Sequence, residues 1–119
     1  MSEVYIGTDL VEVNRIKSSI KNIGNRFIER IFTLKEQKYC SSKFDPNIHY
    51  AGRFAAKEAI MKALKSSGYK KAISFLSIEI EHLKSGEPNA VLHFLHEGNC
   101  KVSISHTKFH AIAFSVYTF

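Results

Sequence analysis

Five charged side chains are spaced so that they could act together on a phosphate: Asp9, Arg53, Lys57, Glu58 and Lys62. Four of them fall in AGRFAAKEAIMKAL, residues 51–64, a stretch of strong helix formers without proline. On a helix turning 100° per residue, Glu58 and Lys62 share one side with Phe54, Ala55 and Met61, while Arg53 and Lys57 lie near Ile60 and Leu64. This helix has no continuous polar face, so its charges sit among groups that favour burial. A part-buried carboxylate beside an ammonium suits a metal ion and a phosphate. The plainer reading is a surface i, i+4 pair worth about 0.3–0.5 kcal/mol. Asp9 is open in the same way. It emerges after the small Gly7 at a strand end and offers oxygen to a cation, or it caps a helix, since Asp9-Leu10-Val11-Glu12 has capping-box spacing.

The histidines are His49, His82, His93, His96, His106 and His110, and no HExxH or comparable metal-ligand spacing joins them. His106 and His110 flank an expected hairpin turn, where the plain reading is an exposed polar residue. Cys40 and Cys100 form no CxxC pair, so neither a zinc site nor a disulfide framework is expected, and reduced thiols in the cytoplasm are the simpler assignment.

The elements that must position these residues follow from periodicity. Val4-Tyr5-Ile6 reads as a short strand feeding a helix near Asp9, with Val13, Ile16, Ile20 and Ile23 at helical spacing. Residues 25–32 carry another apolar stripe, and Thr33-Leu34-Lys35-Glu36 matches a capping box that starts a further helix. Asp45-Pro46-Asn47 breaks the chain before the long helix, and Ser66-Ser67-Gly68 ends it. Leu76, Ile78 and Ile80 then alternate with Ser77, Glu79 and Glu81, as in a strand with one wet face. Residues 90–95, 101–105 and 109–117 read as three further strands, giving an α+β fold in which an antiparallel sheet packs with a long central helix.

With 119 residues, 45% hydrophobic and 24% charged, the chain suits one domain, and no repeat or linker divides it. Seventeen Lys and Arg against 11 Asp and Glu give a net charge of +6, which favours anionic partners. The basic residues are dispersed, unlike a disordered basic tail. No apolar run reaches membrane-spanning length and no leader pattern opens the chain.

Three segments in order, Ile6-Gly7-Thr8-Asp9-Leu10-Val11-Glu12-Val13, the stretch GRFAAKEAIMKA at residues 52–63, and Val102-Ser103-Ile104-Ser105-His106-Thr107, resemble the holo-acyl carrier protein synthase family. The RFAAKEAxxKA pattern with an upstream GxD resembles the phosphopantetheinyl transferase superfamily, and the likeness extends from Tyr5 to Val116. It implies a phosphopantetheinyl transferase-like fold of the short trimeric type, with residues 1–119 as a single domain. It implies magnesium-dependent transfer of 4′-phosphopantetheine from coenzyme A to a serine of apo acyl carrier protein. Adenosine 3′,5′-bisphosphate leaves, and the product serves fatty acid biosynthesis in the cytoplasm.

Residue by residue, the resemblance makes Asp9 and Glu58 the magnesium ligands and Glu58 and Lys62 the catalytic groups. Lys62 neutralises charge on the leaving nucleotide, and Glu58 serves as base. Arg53 and His106, with Lys57 as a lesser candidate, contact the nucleotide end of coenzyme A, including its 3′-phosphate. Arg15 docks the acidic carrier, with Arg26 and Lys43 as helpers. The active unit is a homotrimer with sites between subunits; no nucleic acid and no membrane enter.

Two loops depart from the family pattern. Lys65-Ser66-Ser67-Gly68-Tyr69-Lys70-Lys71 keeps one glycine where relatives have several, so Lys65, Lys70 or Lys71 would replace backbone contacts to phosphate. Gly86-Glu87-Pro88 carries an acid where relatives have lysine. Two competing classes remain: a basic nucleic-acid-binding module, which lacks an RNP-like run here, and a non-enzymatic coenzyme A binder.

Overall fold

The computed structural model describes residues 3–119. In chain order the elements are β1 (Val4–Glu12), α1 (Val13–Ile23), α2 (Asn25–Ile31), α3 (Leu34–Ser41), α4 (Pro46–Ser66), a 3-10 turn at Phe75–Ser77, β2 (Ile78–His82), β3 (Pro88–Leu92), β4 (Asn99–His106) and β5 (His110–Thr118). All strand pairs are antiparallel. One sheet has the order β1-β5-β4, and β2 with β3 forms a separate hairpin.

The long helix starts at Pro46, where a fixed φ and a missing N–H are tolerated at the first helical position. Alanines 55, 56, 59 and 63 are fully buried together with Ile60 and Leu64, against Ile78, Ile80, Ala113 and Tyr117. Burying each of the larger aliphatic side chains contributes about 1.5–3 kcal/mol. The alanine face lets α4 lie close on the sheet, and Gly7 completes the fit. A β-carbon at residue 7 would collide with the Ala59 carbonyl oxygen and stand 2.8 Å from the Ala63 amide nitrogen. A second cluster under α1, α2 and α3 buries Val13, Ile16, Ile31, Phe32, Cys40, Tyr50, Ala51 and Ala111.

Three expectations change. The first strand does not stop before Asp9: β1 pairs with β5 along its whole length, from Val4 opposite Thr118 to Glu12 opposite His110. Nine residues of ladder outweigh a local capping signal, and α1 begins only at Val13, with no side-chain cap. Leu76 belongs to the 3-10 turn and not to a strand. Glu79 does not face water: it is 8% exposed, and its carboxylate accepts from Thr33 Oγ1 at 2.6 Å and pairs with His93 Nε2 at 3.2 Å. The Thr33 hydrogen bond holds the Glu79 carboxyl below the ordinary glutamate range.

Among the described residues no helix is long and apolar enough to cross a membrane. Both cysteines are free, and burial pushes the Cys40 thiol up to about 12.

Candidate active site

Asp9 sits on β1 opposite Ala113, two residues beyond Gly7 and on the same inward face, where the close approach of α4 brings it towards Glu58 and Lys62. The Lys62 ammonium donates to the Thr8 carbonyl at 2.9 Å and to Asp9 Oδ1 at 3.3 Å. Lys62 therefore reaches across to the strand. Among the described residues its ion pair is with Asp9 and none is formed with Glu58, so the surface i, i+4 reading does not hold. Asp9 also makes no helix cap.

Asp9, Glu58 and Arg15 line one cleft of about 380 Å³, together with Phe27, Phe54 and His110. Burial, and then the neighbouring Asp9 charge, raise the Glu58 carboxyl above its ordinary range, with Lys62 and Lys65 acting the other way. Two carboxylates that repel each other at the wall of a cleft could together hold a cation. Among the described residues no three His, Cys, Asp or Glu side chains gather to hold a metal ion. A pair of carboxylates is nonetheless what magnesium takes when phosphate oxygens and water complete its shell, so these residues fit the ion.

A second cleft, of about 190 Å³, is lined by Tyr39, His49, Arg53, His82 and His106, with Gly86 and Pro88 at its edge. Arg53 is 2% exposed, and among the described residues no carboxylate stands within ion-pair reach of it. Its Nε is buried without a partner. A buried guanidinium lacking a counter-charge is costly, and imidazoles of His49, His82 and His106 surround it where an anion would be expected. The hairpin turn between β4 and β5 joins the two clefts: His106 on one side lines the second, and His110 on the other lines the first.

Lys57 is corrected. It is fully buried, and its ammonium donates to the Ile31 carbonyl at 2.6 Å, Glu36 Oε1 at 2.7 Å and the Phe75 carbonyl at 3.0 Å. All three protons are used inside the protein, so no donor remains for coenzyme A. Burial lowers its pKa while Glu36 opposes the shift.

The remaining basic candidates divide. Arg15 is exposed on α1 at the first cleft. Arg26 is exposed on α2. Lys43 stands 4.5 Å from the Tyr39 ring, on the side of the second cleft. Lys65 is close enough to Glu58 to lower its pKa, whereas Lys70 and Lys71 are exposed. Sequence reasoning passed over Tyr39 and, finding no metal-ligand spacing among the histidines, gave His49, His82 and His110 no role. They come from α3, α4, β2 and β5, and no local spacing joins them.

The family model of the 4′-phosphopantetheinyl transferase superfamily matches residues 5–115. The chain is 41% identical over 118 residues to the holo-[acyl-carrier-protein] synthase of Protochlamydia amoebophila (strain UWE25), covering 95% of this chain and 96% of that one. Its fold matches the crystal structure of a holo-(acyl-carrier-protein) synthase from Bacillus anthracis str. Ames in complex with CoA, with a TM-score of 0.82 and 34% identity over 99% of this chain and 98% of that one. The Helicobacter pylori enzyme in complex with coenzyme A gives a TM-score of 0.79 and 31% identity, over 94% and 98%.

Proposed function

The chain belongs to the 4′-phosphopantetheinyl transferase superfamily, and within it we propose that residues 1–119 act as one domain that transfers 4′-phosphopantetheine from coenzyme A to a serine of apo acyl carrier protein, releasing adenosine 3′,5′-bisphosphate. The observation that carries this reading is the meeting of Asp9 and Glu58, from β1 and α4, at one cleft, with Lys62 bonded to Asp9. The relatives named as holo-acyl carrier protein synthases, two of them in complex with coenzyme A, support the reaction class.

Asp9 and Glu58 would hold magnesium. The ion, when bound, supplies positive charge to the pyrophosphate oxygens of coenzyme A. The serine hydroxyl attacks the phosphorus that carries pantetheine, a P–O bond forms, and the bond to the adenosine bisphosphate oxygen breaks. Glu58 takes the serine proton. Lys62, half-exposed and tethered to the Thr8 carbonyl, turns its charge to the leaving phosphate as negative charge grows there. Arg53 and His106 receive the nucleotide end, including the 3′-phosphate, in the second cleft, which the unpaired Arg53 charge supports. Arg15 beside the first cleft meets the acidic carrier. The holo carrier produced would serve fatty acid synthesis in the cytoplasm.

The active unit is a homotrimer in this reading. The outer face of the β1-β5-β4 sheet leaves Val4, Ile6, Leu10, Ile112 and Phe114 at 60%, 57%, 64%, 44% and 46% exposure, with Leu10 opposite Ile112 and Thr8 opposite Phe114. So continuous an apolar face favours burial against another copy.

The test is to incubate the protein with apo acyl carrier protein, coenzyme A and magnesium and to weigh the carrier. A gain of one phosphopantetheine that is lost in Asp9→Ala and Glu58→Ala chains of unchanged fold is expected. An unmodified carrier would leave a coenzyme A binder, and full activity in both variants would remove the metal assignment.

A further inference from the structure

The second cleft holds an arrangement that the reaction alone does not require. Arg53 donates through its terminal nitrogen to His82, 2.7 Å from Nδ1. The guanidinium carbon lies 3.9 Å from the centroid of the Tyr39 ring, and the Tyr39 and His82 rings stack, 4.5 Å apart and inclined by only 6°. Arginine has donors and no acceptor. The bond therefore needs an unprotonated Nδ1 on His82, which places that imidazole's proton on Nε2.

We propose that His82 is a positioning residue: stacked on Tyr39, it accepts the Arg53 hydrogen bond through neutral Nδ1 and thereby fixes the guanidinium for the anionic nucleotide end of coenzyme A. The inference rests on the reading of Arg53 as a contact to that end. Two aspects of the geometry favour it. Among the described residues Arg53 has no carboxylate to orient it, so a neutral acceptor holds it without cancelling the charge that an anion is to meet. Tyr39 offers a flat face, on which a planar guanidinium is restrained while keeping its edges free.

The surroundings favour the neutral imidazole. Burial and then the Arg53, Lys43 and His49 charges lower the His82 pKa. The ionisable groups around the cleft are Tyr39, Cys40 and Lys43 from α3 and its end, Asp45, His49 and Arg53 from the start and body of α4, and His106 from β4. Asp45 acts on His49, and behind the cleft Glu36 and Lys57 act on Cys40.

The experiment is a double-mutant cycle read in the Michaelis constant for coenzyme A, with Arg53→Ala, His82→Phe and both together. His82→Asn is the conservative variant, since its Oδ1 can stand where Nδ1 stood. Phenylalanine keeps a ring on Tyr39 but has no acceptor. Losing a hydrogen bond to a charged group should raise the Michaelis constant about tenfold with little change in kcat, and His82→Asn should restore most of it. In the Arg53→Ala background the His82→Phe effect should vanish. A second readout needs no turnover: the His82 ring proton signal, followed by NMR against pH, should titrate at higher pH once Arg53 is alanine. If Arg53→Ala leaves the Michaelis constant unchanged, the nucleotide-end reading fails and the positioning role falls with it. If Arg53→Ala raises it while His82→Phe behaves as the parent, or costs the same in both backgrounds, the reading of Arg53 stands and the role of His82 is overturned.

Discussion

Replacing Lys57 with methionine separates a structural lysine from a ligand-binding one. Its ammonium is fully buried and joins the Ile31 carbonyl at the end of α2, Glu36 on α3 and the Phe75 carbonyl ahead of β2. Glu36 in turn accepts from the Thr33 and Ile80 amides, each at 2.8 Å. Methionine fills similar volume but strands the Glu36 charge and takes the Lys57 donor from the Ile31 carbonyl, while the Phe75 carbonyl keeps the Ile78 amide. Breaking one side of a buried pair costs about 3–5 kcal/mol, a large share of the roughly 5–15 kcal/mol that holds a domain together. At about 4 °C per kcal/mol for a domain of this size, the melting temperature should fall by about 12–20 °C. Thermal unfolding by circular dichroism gives the first result. The Michaelis constant for coenzyme A, taken well below the melting temperature, gives the second and should stay near that of the parent. A Lys57→Met protein melting within about 3 °C of the parent and binding coenzyme A poorly would refute the assignment and return Lys57 to the nucleotide site.

Lys62→Ala should lower kcat more than it raises the Michaelis constant, because the charge it meets grows in the transition state; unchanged turnover would leave it a binding role only. The Glu58 carboxyl should titrate above 4.5, and Asp9→Asn should bring it down by removing a like charge, both followed by carboxyl NMR. Because its folded pKa is raised, ionised Glu58 opposes folding at neutral pH, and that penalty is relieved as pH falls through the folded pKa. Phe114→Asp on the outer sheet face should turn a trimer into monomer in light scattering; an active parent monomer would refute the shared-site assembly. If sites are shared between subunits, inactive Glu58→Ala and His106→Ala chains should regain activity on mixing, whereas Arg53→Ala mixed with His106→Ala should show no more than the sum of their separate activities, since those two line one cleft of one chain.

The parts of the fold that were legible in the sequence are those set by local physics. The helix of α4 shows in its alanines and in the break at Asp45-Pro46, and the capping box of α3 forms with both of its reciprocal hydrogen bonds. The strands of the second half show as runs bounded by turn residues, and burial alternates in β4 and β5 but not in β2. What failed was decided by distant partners. Asp9 carries a capping signal, yet β5 supplies a ladder that keeps it in strand. Glu79 alternates like a wet residue, yet Thr33 and His93 come from elsewhere to satisfy it under cover. The candidate site divides in the same way. Periodicity puts Arg53 and Lys57 one turn apart on the same buried side of α4, and the family pattern contains both, so neither says which one remains available to a ligand. The difference lies in what comes to meet them: Glu36, which reads as the second half of a capping box, also takes Lys57 out of the cleft, while a tyrosine and a neutral histidine meet Arg53 and leave its charge uncancelled. A motif therefore supplies the residue types, and the partners that the fold brings to each one determine which of them can do chemistry.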